Sequence, residues 1–233
     1  MLYLVPTPIG NLEDITLRAL RVLKEVDVIL AEDTRITKRL LAKYEIETAL
    51  SAFHSHNEHK RLDTIIEQLE GGKTMALVSD AGSPGISDPG FLLTRGVIAA
   101  GLPVTSLPGP TALIPAIVMS GIPCDRFHFE GFLPQKKGKQ TRLKYLLSLQ
   151  NPFILYESPY RVLKTLKKIE EMHLKEVSEL DKSINVCVVR EISKVYEECI
   201  RGTVSEVIAV LEAKPSIKGE IVIVVDCQRG RNK

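Results

Sequence analysis

The residues best suited to hold a ligand lie in a loop of small residues, Ser79 to Gly90, with the sequence SDAGSPGISDPG. A predicted strand, Thr74–Ser79, leads into this loop, and a predicted helix, Pro89–Ala100, follows it. A loop in that position lies at the carboxyl edge of a parallel sheet, where open α/β folds bind their ligands. Glycines and short polar side chains let the backbone approach a ligand closely, so the loop predicts a binding site.

Two further loops rich in proline and glycine leave predicted strands in the same sense. The first is Pro6–Asn11 (PTPIGN), after the first strand, and the second is Pro108–Ala112 (PGPTA), after the fifth strand. Any one such loop is equally well explained as an ordinary turn that ends a strand. Three of them at one sheet edge favour a ligand cleft instead.

The common nucleotide-binding fingerprints are absent from this edge. Gly72, Lys73 and Thr74 match the end of a P-loop, but Glu67 occupies the position of its first glycine and the triplet precedes a strand. No G-x-G-x-x-G follows the first strand, so the ordinary dinucleotide fingerprint is missing too. The sequence therefore excludes an ATP-type P-loop and the usual dinucleotide site.

The elements that must position these loops form two groups, which predict an α/β chain with domains at residues 1–120 and 121–233. In the first group, short apolar strands alternate with amphipathic helices, a pattern typical of a parallel sheet. The second group has five predicted strands and three helical segments. Its strand Val195–Arg201 follows the preceding strand after a tight turn, which requires antiparallel pairing and hence a mixed sheet.

Composition limits the class of protein. The chain has 233 residues, 44% of them hydrophobic, which is typical of a folded globular protein. Its four cysteines lack metal-ligand spacing, so we expect no metal site and a reducing, cytoplasmic location. We expect neither a signal peptide nor a membrane span. The net charge of +2 divides into −3 for residues 1–120 and +5 for residues 121–233, which weakly favours a polyanion partner for the second half.

Several segments together resemble the ribosomal RNA small subunit methyltransferase I family of the tetrapyrrole methylase superfamily. The resemblance covers nearly the whole chain. The loop from Asp80 to Gly90 and the segment Ala31–Arg35 are specific to this branch, because the porphyrin enzymes carry a Gly-Asp-Pro loop at the matching place. The matching segments are LVPTPIGNL (4–12), AEDTR (31–35), HNE (56–58), VSDAGSPGISDPG (78–90), PGPTA (108–112), GFLP (131–134), YESP (156–159), REISK (190–194), GT (202–203) and GEIV (219–222).

The resemblance implies a two-domain tetrapyrrole methylase-like fold, with the cofactor cleft between a parallel-sheet domain and a mixed-sheet domain. It implies methylation by S-adenosylmethionine of a cytidine ribose 2′-hydroxyl in the decoding region of 16S rRNA. The enzyme would be a cytoplasmic homodimer that acts on 16S rRNA or the 30S subunit. The cofactor-binding residues that it implies are Pro8, Ile9, Gly10, Asp80, Ala81, Gly82, Ser83, Thr111, Ala112, Tyr156 and Ile192.

No general base can be assigned from the sequence, although a base would help a ribose hydroxyl to react at neutral pH. For any single candidate, a helix cap or a surface charge is the more common explanation. The catalytic candidates are Asp33, Arg35, His54, His56, Glu58, Glu157 and Lys194. The candidates for RNA phosphate contact are Arg35 and the basic residues Lys136, Lys137, Lys139 and Arg142.

Two other functions stay open at this point. A tetrapyrrole C-methyltransferase of the same fold would handle a porphyrin or corrin precursor, and the loop after Ser79 argues against it. A ribosome-assembly factor could retain the cleft without catalysing a reaction. Cofactor binding followed by a transfer assay with 30S subunits separates these three functions.

Overall fold

A computed structural model of the chain describes residues 1–135, 137–176 and 184–227. The chain divides into two compact units, Met1–Thr111 and Ala112–Lys233. Each unit has its own five-stranded sheet and its own apolar core. The predicted α/β class, with a parallel sheet followed by a mixed sheet, is confirmed.

The first unit is built on a fully parallel sheet with strand order β3-β2-β4-β1-β5. A 3-10 turn at Leu12–Asp14 follows the first strand. The strands are β1 (Leu2–Leu4), β2 (Val28–Ala31), β3 (Ala49–Ala52), β4 (Met75–Val78) and β5 (Val104–Ser106). The helices are α1 (Leu17–Glu25), α2 (Thr34–Lys43), α3 (Glu58–Glu70) and α4 (Phe91–Ala99).

Burial on both faces explains why the central strand of this sheet is continuously apolar. All four residues of β4, Met75–Val78, are at most 1% exposed, and their side chains alternate between two cores on opposite faces. Polar caps begin two of the helices: Thr16 accepts the N–H of Ala19 at 3.0 Å, and Asp33 accepts the N–H of Arg35 at 2.8 Å. Because all five strands run parallel, the loops after β1, β4 and β5 leave the sheet at the same edge.

The second unit has a mixed sheet with strand order β6-β7-β10-β8-β9. β6 is parallel to β7, and the other neighbouring pairs are antiparallel. The strands are β6 (His128–Phe132), β7 (Phe153–Glu157), β8 (Asn185–Arg190), β9 (Glu198–Thr203) and β10 (Ile221–Val225). The helices are α5 (Leu113–Ser120), α6 (Lys139–Ser148), α7 (Val162–Glu176) and α8 (Val204–Glu212).

Helix α5 belongs to the second unit, which begins at Ala112, whereas the sequence placed the domain boundary nine residues later, after residue 120. The helix packs against β8, β9 and β10. Its last turn is fixed from the same unit, because the guanidinium of Arg201 on β9 donates hydrogen bonds to the carbonyl oxygen of Met119. An apolar helix with a predicted strand on either side gives no sequence signal for which sheet it will cover.

None of the helices in the described residues is both long and apolar enough to cross a bilayer.

Close packing between two of the edge loops gives the first prediction. A Cβ at Gly109 would lie 2.7 Å from Cβ of Pro6, whose ring cannot rotate away. We expect Gly109→Ala to lower the free energy of unfolding by about 1–3 kcal/mol, the usual cost of overpacking. Gly71→Ala is the control, since its Cβ would meet ordinary contacts of 3.4 Å. Urea unfolding measures both, and equal stability of the two variants would show that the loops do not depend on this contact.

Candidate ligand site at the carboxyl edge of the parallel sheet

The loops after β1 and β4 are joined by their backbones. Thr7 and Gly82 form an isolated antiparallel bridge, with N···O distances of 2.9 Å in both directions. The Thr7 hydroxyl, which is buried, also donates to the carbonyl oxygen of Ser79 at 3.0 Å. These three hydrogen bonds hold the first loop against the start of the long Ser79–Gly90 loop.

Two serine hydroxyls fix the long loop further. Ser79 Oγ lies 3.2 Å from the carbonyl oxygen of Ala81 and 3.1 Å from that of Gly82, so it closes the turn at the strand end. Ser83 Oγ donates to the carbonyl oxygen of Pro110 at 3.2 Å, which connects the long loop to the loop after β5. The three loops predicted to outline a cleft are thus bonded to one another within the first unit.

Gly90 ends the long loop in a conformation that favours glycine. Its φ is +134°, and a Cβ there would lie 2.8 Å from Cδ2 of Leu77 in the middle of β4. Helix α4 begins at the next residue. Glycine at position 90 therefore lets the loop return across its own strand before the helix starts.

Carboxylates gather at this edge. Asp80 Oδ1 accepts the N–H of Asp33 at 2.9 Å, which joins the end of β4 to the end of β2. Glu32 directly precedes Asp33 in the chain, and burial together with the charges of Asp80 and Asp33 raises the pKa of its carboxyl group. Burial and the charges of Glu32 and Asp80 raise the pKa of Asp88 to about 6, although the Ser79 hydroxyl opposes that shift. One carboxyl group of this edge therefore titrates close to neutral pH.

The proposed base Asp33 serves a different purpose in the structure. Its carboxylate caps α2 and forms a double contact with the guanidinium of Arg35, with an Nη2···Oδ2 distance of 2.6 Å. Hydrogen bonds from the Arg35 side chain and backbone lower the pKa of Asp33 to about 2. A carboxylate of that acidity is a weak proton acceptor. Arg35 has its charge matched by Asp33, although its side chain is 85% exposed.

The histidine and glutamate candidates lie where α3 begins. His56 is exposed, and its ring centroid is 6.0 Å from that of His54. Asn57 Nδ2 lies 3.2 Å from Nε2 of His54, while Nδ1 of His54 is buried without a hydrogen-bond partner in the described residues. Glu58 is 7% exposed, and its Oε1 accepts the N–H of Leu93 at 3.4 Å in the first turn of α4. Glu58 thus stabilises a helix start.

The candidates around the end of β7 lie in the second unit. Tyr156 packs edge-on against Phe129 and Phe132, with ring centroids 5.1 and 5.7 Å away. The carboxylate of Glu157 is buried and accepts from Ser158 N (2.8 Å), Arg161 Nε (2.8 Å) and Thr165 Oγ1 (2.7 Å). Burial alone would raise the pKa of Glu157, but these hydrogen bonds hold it below its ordinary value. Glu157 is therefore an ionised anchor for the start of α7.

Two candidates lie in the turn after β8. Ile192 is 8% exposed. Lys194 Nζ donates to Glu191 at 3.1 Å and to Glu220 at 3.0 Å. Burial alone would lower the pKa of Lys194, but the hydrogen bonds to Glu220 and Glu191 raise it above its ordinary value. Lys194 is therefore held in its charged form and is a poor base.

The remaining residues predicted to bind the cofactor are at the surface or at the unit boundary. Pro8 and Ile9 are half-buried, and Gly10 and Ala81 are exposed. Thr111 is the last residue of the first unit, and Ala112 precedes α5 as the first residue of the second.

The residues predicted to contact RNA differ in whether their charged groups have partners within the fold. Arg142 donates twice to Glu130, at 2.6 Å each, and Lys139 Nζ donates to Thr165 at 2.8 Å and lies 3.7 Å from Glu157. Lys137 is exposed, and Lys136 lies outside the described residues. The charges of Lys139 and Arg142 are thus matched within the fold.

Sequence reasoning passed over three residues of this site: Thr7, Glu32 and Asp88. Asp88 and Thr7 lay inside loops that had been singled out, and Glu32 directly follows a predicted strand, so a search for polar residues at strand ends would have found all three. The neighbouring charges that raise the pKa of Asp88 could be identified only once the fold was known. Among the described residues, no group of three or more His, Cys, Asp or Glu side chains could hold a metal ion.

Comparison with known proteins places this geometry in a family. The family model Tetrapyrrole (Corrin/Porphyrin) Methylases matches residues 1–208. Ribosomal RNA small subunit methyltransferase I of Hydrogenobaculum sp. is 46% identical over 226 residues, covering 96% of this chain and 94% of that protein. The Bacillus subtilis protein of the same name is 47% identical over 227 residues, covering 97% of this chain and 75% of that protein.

Solved structures agree at the level of the fold. A uroporphyrin-III-C-methyltransferase from Thermus thermophilus superimposes with a TM-score of 0.63 at 20% identity, covering 97% of this chain and 94% of that chain. A second structure of that enzyme, complexed with S-adenyl homocysteine, has a TM-score of 0.64 at 18% identity and covers 98% of both chains. The chain belongs to the tetrapyrrole methylases and, within them, to the ribosomal RNA small subunit methyltransferase I family, as its sequence motifs predicted.

The raised pKa of Asp88 predicts a pH-dependent stability. Its folded-state pKa of about 6 exceeds the ordinary 3.8, so its stabilising contribution is complete below pH 4 and is lost as the pH rises through 6. Asp88→Asn should therefore gain stability at pH 8, on the order of 1 kcal/mol because the group is partly solvated, or roughly 2–4 °C in Tm.

The gain should shrink as the pH falls toward 4. Asp63→Asn is the control, because Asp63 is exposed on α3. Thermal unfolding between pH 4 and 8 measures both variants. If Asp88→Asn is less stable than the wild type at pH 8, the carboxylate of Asp88 is not destabilised by partial burial and by its acidic neighbours.

Proposed function

We propose that this chain uses S-adenosylmethionine to methylate the ribose 2′-hydroxyl of a cytidine in the decoding region of 16S rRNA. Family membership supports an S-adenosylmethionine-dependent methyltransferase of small-subunit rRNA. The 2′-hydroxyl, the cytidine, the decoding region and a cytoplasmic homodimer are the finer parts of the proposal. They rest on the resemblance of motifs such as the loop Asp80–Gly90.

The observation that carries the proposal is the group of carboxylates at the edge where the three loops meet. S-adenosylmethionine bears a positive sulfonium, and its product S-adenosylhomocysteine does not. Glu32, Asp80 and Asp88 supply negative charge close together in a partly desolvated place, where a cation is favoured over a neutral ligand. The residues present therefore fit this cofactor.

The loops after β1, β4 and β5 suit the parts of S-adenosylmethionine other than its sulfonium. The backbone bridge between Thr7 and Gly82 and the hydrogen bond from Ser83 to Pro110 hold them in place before any ligand arrives. A preformed site of this kind loses less conformational entropy on binding than a flexible one. In the second unit, we propose that Tyr156 and Ile192 also contact the cofactor, as the family resemblance implies.

The cofactor supplies an activated methyl group, so the residues of the chain chiefly have to align the ribose oxygen and exclude water. We infer that Asp88 accepts the proton of the 2′-hydroxyl on a carboxylate oxygen. Its pKa of about 6 leaves it mostly ionised at pH 7.5 and yet more basic than Asp33, whose pKa is about 2. A base with a pKa near the working pH is the more effective proton acceptor.

The two alternative functions differ from the proposed one in the substrate or in the reaction. A tetrapyrrole C-methyltransferase would transfer the methyl group to carbon of a porphyrin or corrin precursor, and the Thermus thermophilus enzyme of that name is similar only at the level of the fold. A non-catalytic assembly factor would bind the cofactor and 30S subunits without transfer. The 46% identity to a small-subunit rRNA methyltransferase favours the rRNA substrate over both.

A transfer assay tests the proposed activity. Radiolabelled S-adenosylmethionine is incubated with the protein and either 30S subunits, naked 16S rRNA or uroporphyrinogen III, and modified RNA is digested to nucleosides. We expect label in RNA as 2′-O-methylcytidine. Label in the porphyrin would identify the first alternative, and cofactor binding without transfer would identify the second.

The base assignment predicts a pH profile. Asp88→Asn should lower kcat by about 10²–10⁴-fold, the usual contribution of a general base. In the wild type, kcat/KM for S-adenosylmethionine, which reports the free enzyme, should rise with pH with an apparent pKa near 6. Asp63→Asn should keep both the rate and the profile. An unchanged rate in Asp88→Asn would remove Asp88 from the reaction.

The acidic edge predicts how affinity for the cofactor depends on charge. Between pH 5 and 8, calorimetry should show that S-adenosylmethionine gains affinity over S-adenosylhomocysteine as Asp88 ionises. The gain should be about 1 kcal/mol, or roughly fivefold, the upper end of the net contribution of a solvent-exposed ion pair. Asp88→Asn should abolish the change. A constant ratio of affinities in the wild type would contradict the electrostatic account of the site.

A further inference from the structure

A groove lies between α6 and α7 of the second unit. Its volume is about 590 Å³, within the range of sites that hold small ligands or parts of larger ones. Lys139 and Gln140 of α6 form one wall, and Lys164, Lys167, Lys168 and Glu171 of α7 form the other. We refer to it as the α6–α7 groove.

Helical periodicity explains why the lysines of α7 share one face. Positions 164, 167 and 168 are separated by three and four residues, which places them on neighbouring turns of one side of the helix. On the opposite side, Leu166 and Ile169 are completely buried in the core of the unit. The core thus fixes the rotation of α7 and directs the lysines outward.

The charges of the groove do not balance. Lys164 has no ion-pair partner within residues 1–135, 137–176 and 184–227. Lys167 pairs with Glu212 at 2.5 Å, while the single carboxylate of Glu171 is shared by Lys168 at 2.9 Å and Lys175 at 2.7 Å. The two ammonium groups lower the pKa of Glu171 to about 2, so it stays ionised and still leaves positive charge uncompensated.

Including every partner in the described residues, positive side chains outnumber negative ones by three. The positive group is Lys139, Arg161, Lys164, Lys167, Lys168 and Lys175, and the negative group is Glu157, Glu171 and Glu212. A concave surface with this excess concentrates anions.

We propose that the α6–α7 groove binds the phosphate backbone of the RNA substrate, through residues other than those proposed for methyl transfer. The proposal rests on the proposed function for the identity of the RNA. Lysine ammonium groups spaced by one helical turn suit successive phosphates of one strand. The described lining has no aromatic side chain on which a base could stack, so contact would be with the backbone and independent of sequence.

A membrane surface fits this place less well. Binding to a bilayer interface requires a protruding apolar face next to the basic residues. Here the apolar contribution to the lining is Leu163, which is half-buried and packs against the core. A groove also cannot lie flat on a lipid surface. RNA is therefore the occupant that the shape and charge favour.

The α6–α7 groove overlaps only in part with the RNA-contact segment predicted from the sequence. The segment from Lys136 to Arg142 attracted attention because its basic residues are adjacent in sequence. The charge of Arg142, however, is paired with the carboxylate of Glu130. The unmatched charge comes from α7, where the lysines are spread over one helical face and form no continuous run.

The test is a triple substitution, Lys164→Gln, Lys167→Gln and Lys168→Gln. Fluorescence anisotropy measures binding of a labelled fragment of small-subunit rRNA across a salt series. Loss of three phosphate contacts should flatten the log–log salt dependence by about 2 to 3 units. Affinity for S-adenosylmethionine and kcat at saturating RNA should stay at wild-type values, while KM for RNA rises.

A matched control removes equal charge elsewhere. Arg18, Arg21 and Lys24 are exposed on α1, and their triple replacement by Gln changes the net charge by the same amount. This control should retain the wild-type salt slope. Lys164→Gln alone, which breaks no ion pair, should lower the slope by about 0.7–0.9 unit, and it guards against misfolding of the triple variant.

The outcomes separate the groove from the proposed activity. A salt slope equal to the wild type in the triple variant overturns the groove, even if the protein methylates RNA. A flattened slope in a protein that transfers no methyl group keeps the groove and overturns the proposed function. Vesicles of phosphatidylserine are the third arm: loss of vesicle binding with RNA binding intact would identify a membrane surface and contradict the proposal.

Discussion

The backbone bridge between Thr7 and Gly82 is the constraint on which the candidate site depends. It pairs the loops after β1 and β4, two neighbouring strands of the parallel sheet, and the buried Thr7 hydroxyl adds a third hydrogen bond to Ser79. Because this pairing fixes the first turn of the long loop, it also fixes where Asp80 lies. Asp80 in turn accepts a hydrogen bond from the backbone at the end of β2. Its negative charge raises the pKa of both Glu32 and Asp88.

The two units carry opposite charge where each is proposed to bind. Carboxylates gather at the edge of the first sheet, while lysines gather on α7 of the second unit. Such a division suits a reaction with a cationic methyl donor and a polyanionic substrate, since each ligand is attracted to one surface and repelled by the other. The near-zero net charge of the chain conceals this division.

Much of the fold was predictable from the sequence, because strand and helix periodicities reflect burial directly. The loop Ser79–Gly90 was found for a related reason: it follows a buried strand and, with two similar loops, marks the carboxyl edge of a parallel sheet, where ligands bind. Helix α5 was assigned to the wrong unit, since an apolar segment fits either core. The roles of Asp33, Glu58 and Glu157 as caps and anchors depend on which donors each carboxylate meets in the fold, and a carboxylate in a motif looks the same whether it reacts or supports a helix.

The central claim is that ionised carboxylates of the sheet edge recognise the charge of the methyl donor. An NMR titration of the side-chain carboxyl carbon of Asp88 tests it most directly, in the free protein and with S-adenosylmethionine or S-adenosylhomocysteine bound. A nearby cation favours the ionised carboxylate, so the account predicts a pKa clearly below the free value of about 6 with S-adenosylmethionine and a smaller change with the neutral product. Equal pKa values in the two complexes, or a rise with S-adenosylmethionine, would contradict it.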